Sequence, residues 1–112
     1  MPQNFKRLGA INPSANTQTN VYVVPAATEA VISTITICNQ AVTNASYSLI
    51  VMDSSEFASP APTSSFVVRG AVVPATDSII LTLGITANAG SIIAANTNSP
   101  NISFIAFGSE LT

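Results

Sequence analysis

The chain has 112 residues, enough for one domain with a single core. Hydrophobic residues make up 47% of it and charged residues 7%, against roughly a quarter charged in ordinary soluble domains; this excludes a disordered chain and leaves Ser, Thr, Asn and Gln to form the exterior. The net charge is −2 and the basic residues are Lys6, Arg7 and Arg69, too few to neutralise a run of phosphates on one face, so nucleic acid is not an expected partner.

Residues 1–16 are weakly patterned. Phe5, Leu8 and Ile11 are isolated apolar positions, and Gly9, Asn12 and Pro13 interrupt any regular element. The segment reads as an extended N-terminal arm that lies on a neighbouring subunit, with residues 17–112 forming the domain proper. On that reading, removal of 1–16 leaves the domain folded. The start, MPQNFKRLGA, lacks the apolar stretch of a secretory signal.

The first clear strand is 19–24, closed by Pro25. The second, 30–39, reads AVISTITICN. Strict alternation puts Val31, Ile35 and Ile37 on one face and Ile32, Thr34, Thr36 and Cys38 on the other. Cys38 lies in an apolar run and reads as a small core residue. It is the single cysteine, so no intrachain disulfide exists, as suits assembly in a reducing cytoplasm. A third strand, 45–52, points Tyr47, Leu49 and Val51 one way and Ser46 and Ser48 the other.

Residues 53–64 form the longest irregular segment, with Pro60 and Pro62 forbidding a central strand. Phe57 within it is a candidate contact anchor or a plug for one end of the core. Further strands follow at 65–73, 78–85, 91–95 and 101–107, separated by turns at 74–77, 88–90 and 96–100. The last is apolar on both faces, as in a strand central to a sandwich or covered by a partner. Seven short strands at even spacing predict an all-β fold: a single antiparallel sandwich or small barrel, immunoglobulin-like or jelly-roll-like. No apolar run approaches the roughly 18 residues that span a bilayer, so no membrane partner is expected.

Little catalytic chemistry is available. There is no histidine, the commonest acid/base and metal ligand. The acidic residues Glu29, Asp53, Glu56, Asp77 and Glu110 are scattered. Asp53 and Glu56 share a loop but lack the glycine-containing pattern of a calcium site. The glycines show no phosphate-loop spacing. No enzyme, metal or cofactor is expected.

Three stretches belong together: ISTITICNQ at 32–40, SIILTLGITANAGSIIA at 78–94 and NISFIAFGSEL at 101–111. A strand ends in Cys38-Asn39, a later one runs through Gly90 into a short strand at Ile93, and an aromatic strand ends in Gly108-Ser109-Glu110. The combination resembles small virion structural proteins of tailed bacteriophages, especially cyanophage-like ones, over most of 21–111. Ser91 stands where such chains often carry a charge.

The resemblance implies a capsid cement or decoration protein on the outer surface of the virion, assembled in the host cytoplasm. Its partners would be the major capsid protein or other virion subunits, and it would be a homo-oligomer, trimer or dimer. The alternatives are a tail, neck or baseplate component forming a ring or fibre adaptor, and a host-glycan-binding module using Tyr22 or Tyr47 beside the 53–64 loop. The contact candidates are Phe5, Leu8 and Ile11 on the arm and Phe57 on the long loop, with Lys6 and Arg7 adding charge contacts to an acidic surface.

Overall fold

The computed structural model describes residues 3–53, 55 and 61–111. Among these residues eight strands carry the fold: β1 (Gln3–Ile11), β2 (Thr19–Val23), β3 (Glu29–Asn39), β4 (Ala45–Met52), β5 (Phe66–Val73), β6 (Ser78–Ala87), β7 (Ile92–Thr97) and β8 (Ile102–Leu111). Among the described residues the helical content is one 3₁₀ turn, Thr63–Ser65. The strands form two antiparallel four-stranded sheets, β1-β8-β3-β6 and β2-β7-β4-β5.

This order has a simple logic. The pairs β1–β8, β2–β7, β3–β6 and β4–β5 are all hydrogen-bonded, and they nest like the rungs of one long hairpin whose tip is the β4–β5 connection. Two further pairings, β8–β3 and β7–β4, roll that hairpin into two sheets. This is the eight-stranded jelly roll, so the expected antiparallel sandwich is present with one strand more than the sequence displayed.

The extra strand is β1. Residues 3–11 are extended, as expected of an arm, but they pair with β8 from Gln3–Leu111 to Ile11–Phe104. They form an edge of the first sheet. A register break between Arg7 and Gly9 adds one residue and destroys the two-residue alternation by which a strand is recognised. Gly9 is required by packing. A Cβ there would lie 2.1 Å from the Val21 carbonyl oxygen, so β1 meets β2 through bare backbone. Deleting 1–16 therefore removes a sheet strand as well as any contact surface.

The core lies between the sheets. Ile32, Ile35 and Ile37 of β3 and Ile102, Phe104 and Ala106 of β8 meet Tyr47 and Leu49 of β4 and Ile93 and Ala95 of β7. The Tyr47 and Phe104 rings pack edge to face with centroids 6.2 Å apart, a favoured aromatic geometry. A second bulge corrects the expected facing of β3. Ser33 is the extra residue in the pairing with β8 between Ile32 and Thr34. Ile32 is consequently fully buried and Val31 turns outward, the reverse of simple alternation. Cys38 is likewise not core: it is half-buried on the outer, Thr-rich face, opposite Ser78 and Ser103.

Asn39 closes one end of the sandwich. It is 1% exposed. Its Nδ2 donates to the carbonyls of Thr43, Val73 and Pro74 at 3.0, 3.1 and 3.2 Å, and its Oδ1 accepts from the Ala41 N–H at 2.9 Å. One amide thus ties the end of β3 to the end of β5. Asn39→Leu keeps the volume but strands these groups, and should cost about 3 kcal/mol in urea unfolding. The neighbouring turn holds Thr76 at φ 52°, a left-handed conformation that a β-branched residue adopts at a cost. Thr76→Asn should raise stability by about 0.5–1 kcal/mol in the same assay.

Candidate subunit-contact surfaces

The two sheets differ on their outer faces. On the β2-β7-β4-β5 sheet, Ile50, Met52, Ile92 and Ala94 point away from the main core yet are buried. They form a second apolar cluster under Ala61 and Phe66. The return of the 53–65 connection lies over them, pinned where the Ala61 N–H donates to Gln18 Oε1 at 3.0 Å. This patch is covered by its own chain, whereas Val23 and Val72 elsewhere on the sheet's outer side stay 45% and 58% exposed. Arg69 adds a cation–π contact with its guanidinium 4.6 Å from the Phe66 ring centre.

The outer face of the β1-β8-β3-β6 sheet has no such cover among the described residues. The pairing builds it in rows across four strands: Arg7, Phe107, Thr34, Thr82; then Ala10, Ile105, Thr36, Ile80; then Phe5, Ser109, Val31, Thr86. Phe5 is 80% exposed, Ile80 66%, and Val31 and Phe107 40% each. Arg7 is the one charge in these rows, with Glu29 at the margin. Val31, Ser109 and Thr86 border a cavity of about 290 Å³ that also touches Glu29, Asn88 and Leu111. Such a face meets another protein with little ionic desolvation to overcome.

The contact candidates from the sequence fall in different places. Phe5 and Arg7 are exposed on β1. Leu8 and Ile11 are half-buried and pack on the main core, so they hold β1 in place. Phe57 lies outside the described residues. Lys6 is engaged within its own chain: its Nζ lies 2.7 Å from Glu110 Oε1. Sequence reasoning did not reach Val31, Ile80, Ile105 and Phe107 as one surface. The signal was the neutral outward row of each strand, but only the pairing assembles those rows.

Glu110 is the centre of a small polar joint between the sheets. It is 8% exposed on β8, takes the ammonium of Lys6 from β1, and accepts the hydroxyl proton of Tyr22 from β2. The Lys6 and Tyr22 hydrogen bonds hold its carboxyl below the usual range, against the opposing effect of burial. Burial, then the Glu110 hydrogen bond and charge, push the Tyr22 phenol well above its usual value. Tyr22 is buried here and Tyr47 is 3% exposed. Neither presents a ring for stacking a sugar, which removes the aromatic platform expected for glycan binding.

Among the described residues no group of three or more His, Cys, Asp or Glu side chains is placed to hold a metal. No family model and no curated protein matches the chain. The solved structures similar to it include two that are both described as a pentameric capsid protein isolated from metagenomic phage sequences. Each is 17% identical with a TM-score of 0.30; the alignments cover 96% of this chain and 64% and 62% of theirs. The chain thus spans less than two thirds of their length. The strand order, rather than this likeness, carries the fold assignment.

Because the folded chain keeps Glu110 ionised to lower pH than the unfolded chain does, the joint's stabilisation is fully present above the ordinary carboxylate range, near 4.3. It is lost as pH falls through the lowered folded value. Lys6→Met should reduce stability at neutral pH by about 1 kcal/mol. The gap between variant and native chain should close as urea titrations are stepped into acid. A gap that stays constant with pH would show that the ion pair contributes nothing.

Proposed function

We propose that this chain is a structural subunit of a phage virion that acts by covering and bridging neighbouring protein subunits, as a capsid cement or decoration protein. The observation that carries the reading is the outer face of the β1-β8-β3-β6 sheet: four strands wide, nearly free of charge, and left open among the described residues, whereas the apolar patch of the other sheet is covered by its own chain. Jelly rolls serve as capsid domains, lectins and cupins. Here the space between the sheets, where a cupin holds its cofactor, is filled by Ile35, Ile37, Leu49 and Phe104, and the tyrosines a lectin would expose are buried. A packing role uses what remains.

The mechanism is burial repeated by symmetry. Each contact removes apolar area worth about 25 cal/mol per Å² before association costs, and a symmetric shell multiplies modest contacts into high avidity. Phe5 and Phe107 are the anchors offered on the open face, with Arg7 available to an acidic neighbour. The major capsid protein is the proposed partner and the outer shell the proposed location. The jelly-roll strand order favours a second reading, a subunit of the shell itself.

The test is incorporation. A Val31→Glu, Phe107→Glu chain changes two exposed positions, and should remain folded by circular dichroism yet be absent from purified particles of a phage that carries the protein. Quantitative mass spectrometry of native particles separates the readings. Copies in the hundreds, removable without loss of the shell, mean decoration. Copies that cannot be removed without losing the shell mean a shell subunit. A single ring's worth means neck or tail, and normal incorporation of the double variant overturns the contact face.

A further inference from the structure

The four edge strands are unequally guarded. Exposed edges invite pairing with other chains, and proteins block them with charges, prolines, bulges or short length. β1 carries Lys6, Arg7 and a register break. β2 has five residues and a break between Asn20 and Tyr22. β5 carries Arg69, Gly70 at φ 70° and two breaks against β4. β6 is ten residues long, SIILTLGITA, with no charge and no proline. Its pairing with β3 has a break too, Leu83 and Gly84 together facing Ser33, but its own exposure alternates from Ser78 to Thr86, so its guards are fewer than those of the other edges.

The strand is also nearly a palindrome about Thr82. Laid antiparallel on a second copy with Thr82 facing Thr82, it sets Leu81 against Leu83, Ile79 against Ile85 and Ser78 against Thr86. The one unequal pair is Ile80 against Gly84. Ile80 is 66% exposed, and a Cβ at Gly84 would meet nothing within 4 Å, so on the same outer face one copy's large side chain fills the other's open space. On the inner side, Ile79, Leu81, Leu83 and Ile85 pack on the core but stay half-exposed at the sandwich margin, and a paired copy would extend their cover. Neutrality matters too: β6 meets itself without repulsion, whereas β1 would oppose Lys6 and Arg7 to a second set.

We propose that β6 is a two-fold self-association edge, pairing antiparallel with β6 of a second copy in a register centred on Thr82 and joining two four-stranded sheets into one of eight strands. The pairing is isologous and does not depend on where in a virion the protein sits. It places the two open outer faces side by side.

Sedimentation velocity of the purified full chain, at concentrations up to about 100 µM, should show a dimer. Thr82→Lys puts two ammonium groups face to face on the axis and should weaken the dimer about tenfold or more, with the circular dichroism spectrum unchanged. The register is tested in a Cys38→Ser background, which removes the native thiol. Thr82→Cys should form a disulfide-linked dimer on mild oxidation. Ile80→Cys should not, because the two copies of that residue lie about 14 Å apart along the strands, beyond the roughly 7 Å Cα limit. Should Thr82→Lys fail to fold, this cysteine pair decides the question. A native chain that stays monomeric, or forms an odd-numbered ring without two-fold contacts, overturns the proposal. So does cross-linking at 80 as readily as at 82.

Discussion

With three basic and five acidic side chains in 112 residues, this fold has to draw its stability from burying aliphatic surface. Every larger feature follows from that constraint. Between the sheets, Ile, Leu, Val and Phe side chains close the main core, and two buried polar side chains, Asn39 and Glu110, are fixed in place by hydrogen bonds. Asn39 satisfies carbonyls at one end, and Glu110 couples Lys6 to Tyr22 across the sheets. A buried carboxylate is tolerable only because it is paired. Lys6 is thereby committed to the fold, and among the described residues Arg7 is the exposed end of what the sequence shows as one basic pair.

The same constraint separates the two outer faces. At one end of β4 and β7 the outward residues Ile50, Met52, Ile92 and Ala94 are as apolar as those that point into the core, and the return of the 53–65 connection covers them; at the other end Ser46, Ser48 and Asn96 meet water. The outer rows of β3, β6 and β8 are instead mixed, with Thr beside Val, Ile and Phe. Threonine in a strand presents a methyl and a hydroxyl together, so this face tolerates water while carrying almost no ionic hydration to remove on contact. A sheet of that kind suits a protein that is first made in solution and then covered.

Most of the strands were legible in the sequence because period-two runs and Pro, Gly and Asn punctuation report backbone geometry directly. What escaped were the places where the period is broken. β1 was hidden by the extra residue at Leu8 and by Gly9, whose role is close approach to the Val21 carbonyl. The extra residue at Ser33 exchanged the faces of Val31 and Ile32, and Cys38 followed the Thr face rather than the core. Local sequence carries propensity, whereas a bulge is settled by two strands together. The candidate site was legible in less detail. Scarce charge pointed to contact with other subunits, and Phe5 and Arg7 are exposed, but the proposed surface is assembled from strands far apart in the chain and can be drawn only from the strand order.

That strand order also decides which edges remain. Rolling the nested hairpin leaves β1 and β6 at the margins of one sheet and β2 and β5 at the margins of the other. Three of these edges carry a guard beyond a register break (a charge or short length), whereas β6 has the break alone. Selection for solubility alone would be expected to place one on β6 as well, since a single lysine at Thr82 or Thr86 would meet no steric objection on an exposed position. An uncharged strand of this length is a hazard to a monomer and an asset to a subunit whose neighbour continues the sheet. The near-palindrome about Thr82 sharpens the point. General hydrophobicity would serve any partner, whereas the match of Ile80 to the space above Gly84 is one that another copy of the same chain supplies twice, once on each side of the axis.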